Sequence, residues 1–289
     1  MVNILSFPKE AKEEINLSFE KLCKAGQKDN LLLAYKEMCN ETDGGNFIQQ
    51  LDNIAQKSGI HKYTVYLIFV LKFTDELKRI FKEKNISDNV FYETCSDIKY
   101  KLFECHNVYG VWGVFPIRWF RKLLLGNIFK LGRLEYETVK YKFECGYKDV
   151  LKKGDNCIAL HIPSSGPLLI PDVIDSLKMA YKFFNASGDM VIYTHSWLVY
   201  PPFYPLFKDG SNMQKFYNLF DIYYAEAVKG KSVIWRIFNV PPETELDLLP
   251  RDNSLRQNFY NYLKSGNDLG EGLGAIVFDG EKIKTGKLI

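Results

Sequence analysis

The chain has 289 residues, of which 46% are hydrophobic and 25% charged, a composition that is typical of globular proteins and excludes extensive disorder. Its net charge is only +3 and it has no long basic run, which argues against a nucleic-acid-binding protein. The six cysteines form no Cys-x-x-Cys pair and only four histidines are present, so we expect free thiols, no metal site and a cytoplasmic protein.

The first half of the chain has the pattern of consecutive helices. Apolar residues recur at helical spacing up to about residue 106, with glycine-containing breaks at 44–46 and 58–60. The most apolar stretch, 63–73, is about half as long as the ~20 residues that a membrane-spanning helix needs. The sequence therefore predicts a buried helix at 63–73 and no membrane span.

From about residue 107 the pattern changes to strands that alternate with helices. YGVWGV (109–114) is strand-like, PIRWFRKLLLGN (116–127) is helical, and FKLGRLEYETVKYKFE (129–144) predicts one long strand or a hairpin. The elements predicted after these are strands at 157–163, 190–199, 221–228 and 232–240, helices at 171–184, 211–220 and 253–266, and a hairpin at 275–283.

Several short motifs in this second half resemble one family. They are LGRLEYE (131–137), HIP (161–163), SWLVYP (196–201) and LPRDNSLRQNFYNYLKSGNDLGEGLGAI (249–276). They resemble bacterial acyltransferases that have an N-terminal acyltransferase domain and a GNAT-like C-terminal domain, and the similarity covers most of the chain. The resemblance implies an α+β protein, with a helical N-terminal region followed by a GNAT-like mixed, mostly antiparallel sheet flanked by helices. We expect the two domains at 1–146 and 147–289.

The resemblance also implies a function. Such a protein transfers an acyl group from a thioester donor, either acyl-CoA or an acylated carrier, to an amine or a hydroxyl. Acyl-CoA is then a co-substrate, no tightly bound cofactor is expected, and the partners are a small-molecule donor and acceptor. The alternative is a non-catalytic protein that retains the GNAT-like fold and binds a ligand or a partner. The oligomeric state is left open.

The loop HIPSSGPLL (161–169) lies where the GNAT fold holds the pyrophosphate of acyl-CoA. The usual pattern of that loop is Q/R-x-x-G-x-G/A, whereas here Gly166 is the only glycine and Pro167 has no N–H to donate. Ser164, Ser165 and Gly166 could bind phosphates through backbone N–H groups, or they could form a structural or substrate-facing loop. The stretch also lacks the first glycine of the G-x-S-x-G nucleophile turn that hydrolases use.

Four residues are candidates for the acid–base chemistry. His161 and His195 lie near the ends of two strands that splay apart in the GNAT fold, where each could act as general base or orient a carbonyl, or could be a core histidine. Glu135, which shares a strand face with Glu137, is a general base if it points inward and otherwise an exposed strand carboxylate. Tyr217 follows the second splayed strand, where GNAT enzymes often have a tyrosine that protonates the leaving thiolate.

The remaining candidates concern substrate binding. Ser196 and Trp197 begin an aromatic segment that could form the wall of an acyl-chain pocket or fill the core. Arg118 and Arg121 share a basic helix face, which either binds the CoA phosphates or is simply solvated.

Overall fold

A computed structural model of the chain describes residues 5–40, 46–228 and 233–286. The chain forms two compact units, Met1–Phe129 and Lys130–Ile289. The division between these units comes earlier in the chain than the 1–146 and 147–289 division expected from the sequence. The reason is that the strand LEYETVK, on the N-terminal side of residue 146, pairs with the strand NCIALH on its other side.

The described part of the first unit is helical, as the sequence predicts. Its helices are α1 (Lys9–Lys24), α2 (Lys28–Asn40), α3 (Asn46–Ser58), α4 (Lys62–Lys72), α5 (Thr74–Glu83), α6 (Asp88–Cys95), α7 (Asp97–Tyr109) and α8 (Ile117–Leu124). Every residue of α4 from Thr64 to Val70 is buried, which confirms the predicted buried helix. Among the described helices, none is both long enough and apolar enough to cross a membrane.

The strand predicted at 109–114 is wrong, because these residues end α7 and then form an irregular loop. The Val114 N–H donates to the carbonyl of Tyr63 at the start of α4, at 3.0 Å. Gly113 lies against the same backbone, so closely that a Cβ would overlap the Tyr63 carbonyl group. Close packing of the loop on a helix terminus therefore replaces the strand pairing that the β-branched residues suggested.

Among its described residues, the second unit contains most of a six-stranded sheet flanked by helices. Its elements are β1 (Ile128–Leu131), β2 (Leu134–Lys140), β3 (Asn156–His161), α9 (Ile170–Phe183), β4 (Met190–Ser196), α10 (Asn212–Tyr217), β5 (Asp221–Ala227), α11 (Ile234–Phe238), α12 (Ser254–Lys264) and β6 (Gly270–Phe278). Short 3-10 turns follow β4 at Trp197–Val199 and Pro201–Leu206, and another lies at Leu246–Leu248. The division between the compact units falls within β1.

The strand order is β1-β2-β3-β4-β6-β5. Strands β3 and β4 are parallel, whereas β2 with β3, β4 with β6, and β5 with β6 pair antiparallel. The segment 129–144 is a hairpin of β1 and β2, one of the two predicted alternatives. The architecture confirms the predicted mixed, mostly antiparallel sheet.

The two faces of the sheet have different coverings. On one face, the Tyr136 hydroxyl of β2 lies 2.9 Å from Ser176 Oγ of α9, so that α9 covers this face. On the other face, Ala159, Tyr193 and Leu273 belong to a buried cluster with aromatic residues of the segment 141–151. Because side chains alternate along a strand, His161 shares its face with Ala159, on the side away from α9.

One predicted strand, at 232–240, contains a helix instead, and residue 232 lies outside the described residues. Helix α11 buries Ile234, Ile237 and Phe238, whose i, i+3, i+4 spacing forms one helical face. It ends at Asn239, whose φ of 55° is a left-handed cap. A short run rich in β-branched and aromatic residues fits either element, and the tertiary packing decides between them.

Candidate active site

Backbone pairing between the parallel strands β3 and β4 stops short of their C-terminal ends, and we call the region between these unpaired ends the gap. Backbone pairing joins Ile158 to Ile192 and Ala159 to Tyr193, and among the described residues it ends there. A side-chain bond from Thr194 Oγ1 to the Leu160 carbonyl, at 3.1 Å, is the next link. Both strands continue beyond this link, β3 to His161 and β4 to Ser196.

The two histidines lie on either side of this gap. His161 and His195 are each two residues beyond the last backbone pair, and strand alternation places both on the same face of the sheet. The structure therefore places the two candidate histidines at equivalent positions of neighbouring strands.

His161 has a buried carboxylate as its partner. Its Nε2 lies 2.8 Å from Oε2 of Glu137, whose side chain is only 5% exposed, while that of His161 is 27% exposed. In the β2–β3 register, Glu137 is opposite Ala159 and therefore diagonal to His161. This partner could not be singled out beforehand, because the pairing register of β2 and β3 is not visible in the sequence.

His195 has a weaker carboxylate partner. Its Nε2 lies 3.4 Å from Oε2 of Glu271 on β6, and its ring packs against Phe143. Burial lowers the pKa of His195 below its usual value of 6.5, and the opposing effect of Glu271 is partly offset by Lys142. His195 is therefore mostly neutral at pH 7, the form that can accept a proton.

Tyr193 and Cys157 lie on the same sheet face as the histidines, Tyr193 buried and Cys157 partly buried. Burial, followed by the nearby Cys157 and Glu137, raises the pKa of Tyr193 and keeps its hydroxyl protonated. Burial likewise raises the pKa of the Cys157 thiol, to about 11. A nucleophilic thiolate is therefore disfavoured at neutral pH, and the arrangement suits direct transfer with a histidine base better than a cysteinyl intermediate.

The loop that follows β3 is held by an arginine. The guanidinium of Arg133, in the turn between β1 and β2, donates to the carbonyls of Pro163, Gly166 and Pro167 and to the hydroxyl of Ser165. Ser164 is exposed at the outer side of the loop. Arg133 belongs to the motif LGRLEYE, but no role for it could be predicted from the sequence.

Glu135 is buried, with an exposure of 1%, and lies directly opposite His161 in the strand register. Of the two interpretations open for this carboxylate, the structure supports the inward-pointing one. Tyr217, at the end of α10, packs its ring against Tyr204, with the centroids 4.8 Å apart. Burial raises the pKa of Tyr217, so its hydroxyl stays protonated and can act as an acid.

The remaining candidates have structural contacts. Ser196 Oγ accepts the Leu198 N–H and caps the first 3-10 turn. Trp197 packs edge-on against Phe203, Phe207 and Phe259, which favours the core interpretation over the pocket wall.

The two arginine candidates lie on α8, in the first compact unit. Arg121 Nε donates to the Met38 carbonyl at 3.2 Å, so this arginine joins two segments of that unit. Arg118 is exposed. Among the described residues, no His, Cys, Asp and Glu side chains cluster in a way that could hold a metal ion.

Two family models cover nearly the whole chain. The model described as GNAT-like C-terminal domain matches residues 128–276, and the model described as N-acyltransferase N-terminal domain matches residues 2–126. The chain belongs to this family of acyltransferases. No curated protein sequence is detectably similar to this acyltransferase.

Solved structures of acyltransferases share the fold. One, in complex with decanoyl-CoA and teicoplanin, is 20% identical with a TM-score of 0.71, over 96% of this chain and 86% of the other. A second, in complex with CoA and 10C-teicoplanin, is 19% identical with a TM-score of 0.70, over 95% and 85% of the two chains. A third, in complex with decanoyl-CoA, is 20% identical with a TM-score of 0.71, over 95% and 85%. At these identities, the likeness shows the fold of this acyltransferase.

Proposed function

We propose that this acyltransferase transfers an acyl group from acyl-CoA to an amine or hydroxyl of a small molecule, at the gap between β3 and β4. The observation that carries the proposal is the contact between His161 and the buried Glu137 beside that gap. Similar folds with decanoyl-CoA bound support the choice of donor. We also propose a bacterial cytoplasmic location, where thiols stay reduced.

In this proposal His161 is the general base. Donation of its Nε2–H to Glu137 selects the tautomer in which Nδ1 is the basic nitrogen, and the carboxylate stabilises the imidazolium that forms. Nδ1 takes the proton as the acceptor's nitrogen or oxygen attacks the thioester carbonyl. The new C–N or C–O bond forms, the C–S bond breaks, and the sulfur leaves as a thiolate that takes up a proton.

His195 faces the same gap from β4, where its neutral ring can orient the acceptor or the thioester carbonyl. Glu135, buried opposite His161, adds a second carboxylate beside the base. The hydroxyl of Tyr217, on the helix that follows the turns after β4, is the proposed proton donor to the leaving thiolate, as the resemblance implies. The loop with Ser164, Ser165 and Gly166 is proposed to bind the pyrophosphate.

The reaction can be tested with acetyl-, octanoyl- and decanoyl-CoA against a panel of primary amines and alcohols. Released CoA is best quantified by chromatography, because the exposed Cys23 and Cys39 would consume a thiol reagent. The acylated acceptor is identified by its mass. We expect CoA release that depends on the acceptor, with reactions lacking the acceptor as the control.

Calorimetry with CoA and the same acyl-CoAs separates the other outcomes. Binding without acceptor-dependent release for any acceptor would favour the non-catalytic ligand-binding protein. The absence of binding at millimolar acyl-CoA, for every chain length, would contradict the choice of donor and point to an acylated carrier or to the non-catalytic alternative.

A further inference from the structure

The contacts of Arg133 concentrate on one short loop. Its Nε donates to the Pro167 carbonyl and its Nη1 to the Pro163 carbonyl, both at 2.9 Å. Nη1 also lies 3.3 Å from Ser165 Oγ, and Nη2 donates to the Gly166 carbonyl at 2.5 Å. One planar guanidinium thus fixes four acceptors within five consecutive residues, which connect the end of β3 to the start of α9.

These bonds determine which backbone groups of the loop remain for a ligand. The carbonyls of Pro163, Gly166 and Pro167 are turned toward Arg133, and the φ of +120° at Gly166 is one that other residues rarely adopt. Among the residues that the structure describes, none accepts the backbone N–H of Ser165 or Gly166. The carbonyl side of the loop is therefore satisfied within the protein, which leaves these N–H groups for an anion.

We propose that Arg133 is a positioning residue for the acyl donor. Its guanidinium holds the loop 163–167 in the conformation that binds the pyrophosphate. Its hydrogen bonds take the place of the glycines that shape the usual pyrophosphate loop and that are missing from this one. The proposal rests on the proposed function and assigns a role in that same site. Its energetic basis is preorganisation: a loop already held in its bound conformation loses less conformational entropy on binding.

Arg133→Lys is the informative variant. Lysine keeps the positive charge but has a single nitrogen, which cannot reach acceptors as far apart as those of the planar fork. Two donors with the same acyl group then separate positioning from general damage. Acyl-CoA carries the pyrophosphate, whereas the N-acetylcysteamine thioester has the same reactive carbonyl and no phosphate.

We expect Arg133→Lys to raise the KM for acyl-CoA by about tenfold or more, with kcat changed less than about threefold. With the N-acetylcysteamine thioester, kcat/KM should equal that of the parent. Arg79→Lys is the matched control, since Arg79 is an exposed arginine with its own bonds to Glu76 and Glu83. It should behave as the parent with both donors.

Three results would overturn the role of Arg133. An unchanged KM for acyl-CoA in Arg133→Lys overturns it while leaving the proposed function intact, and so does an equal loss with both donors. A parent that binds no CoA in calorimetry overturns both proposals.

If Arg133→Lys does not fold, amide hydrogen exchange of the parent keeps the proposal testable. CoA should slow the exchange of the Ser165 and Gly166 amides, and unchanged rates in saturating CoA would contradict the proposed loop.

Discussion

Glu137 is a buried carboxylate, and burial of a negative charge costs free energy unless a partner compensates it. His161 is such a partner, and its contact with Glu137 compensates the cost of burying this carboxylate. His161 could be identified as a candidate from its place at the end of an apolar strand, and Glu135 and Glu137 could be recognised as sharing a strand face. The carboxylate in contact with His161 could not be identified in this way, because a change of register by two residues would place Glu137, instead of Glu135, opposite His161.

We predict that Glu137→Gln lowers kcat for acyl transfer by about 10- to 100-fold, because glutamine keeps the shape of the side chain but not the charge that stabilises the imidazolium. Steady-state rates with saturating donor measure this effect. Glu144→Gln is the control, as Glu144 is 83% exposed and pairs with Lys153. Equal kcat values for Glu137→Gln and the parent would show that Glu137 does not assist His161.

His195 leads to a prediction about pH. Its pKa is lowered in the folded protein and returns to about 6.5 on unfolding, so the unfolded chain binds the proton more readily. The stabilising contribution of the neutral ring is therefore present above pH 6.5 and is lost as the pH falls through that value toward the lowered pKa. Thermal unfolding of the parent and of His195→Gln, at several pH values between about 5 and 8, measures it.

The expected result is that the difference in Tm between the parent and His195→Gln changes in favour of the variant as the pH falls. His61 is present in both proteins, and its own lowered pKa cancels in the comparison. A Tm difference that stays constant across this pH range would contradict the altered titration of His195.

At the scale of the elements, the alternating residues of β6 meet a different requirement on each face of the sheet. Its glycines 270, 272 and 274 face the side where the 3-10 turns and Phe220 pack, and a Cβ on any of them would crowd those groups. Glu271 and Leu273, between them, face the histidine side. The predicted hairpin began only at residue 275, because glycine is disfavoured in strands and hides the period-2 pattern of the preceding residues.

We predict that Gly272→Ala destabilises the protein by about 1–3 kcal/mol, because the new methyl group would overlap the Val199 carbonyl, a backbone atom that cannot rotate away. Chemical denaturation measures the loss. Ala225→Ser, at the exposed position that pairs with Gly272 on β5, is the control and should change stability by less than about 0.5 kcal/mol. Equal stability of Gly272→Ala and the parent would mean that the turn after β4 lies farther from β6.

Other elements were predicted correctly where the local pattern is long or has a clear cap. Ser211 accepts the Gln214 N–H at the start of α10, and Asn253 accepts the Arg256 N–H at the start of α12, both at helix starts that the sequence indicates. The error at α11 concerns a helix of five residues, too short for its periodicity to be distinguished from a strand.

At the scale of the whole molecule, the sequence indicates a helical part followed by a mixed sheet, and the order of the described helices and strands confirms this fold class. The gap itself could be expected from the resemblance together with the positions of His161 and His195. The partners that define the site, Glu137, Glu271 and Arg133, depend on strand register and on the course of a turn. These are tertiary properties that the local sequence does not specify.

The most direct test of the site is the kinetics of His161→Gln, measured together with its thermal stability. If His161 is the base, kcat for acyl transfer should fall by about 100-fold or more, while the Kd for CoA stays close to that of the parent. The Tm should fall only slightly, because the amide of glutamine can still donate a hydrogen bond to the buried Glu137. If His161 is instead a core residue, the variant will melt well below the parent. A variant that melts in this way and still transfers the acyl group at the parental rate per folded molecule would contradict the assignment of the active site to this gap.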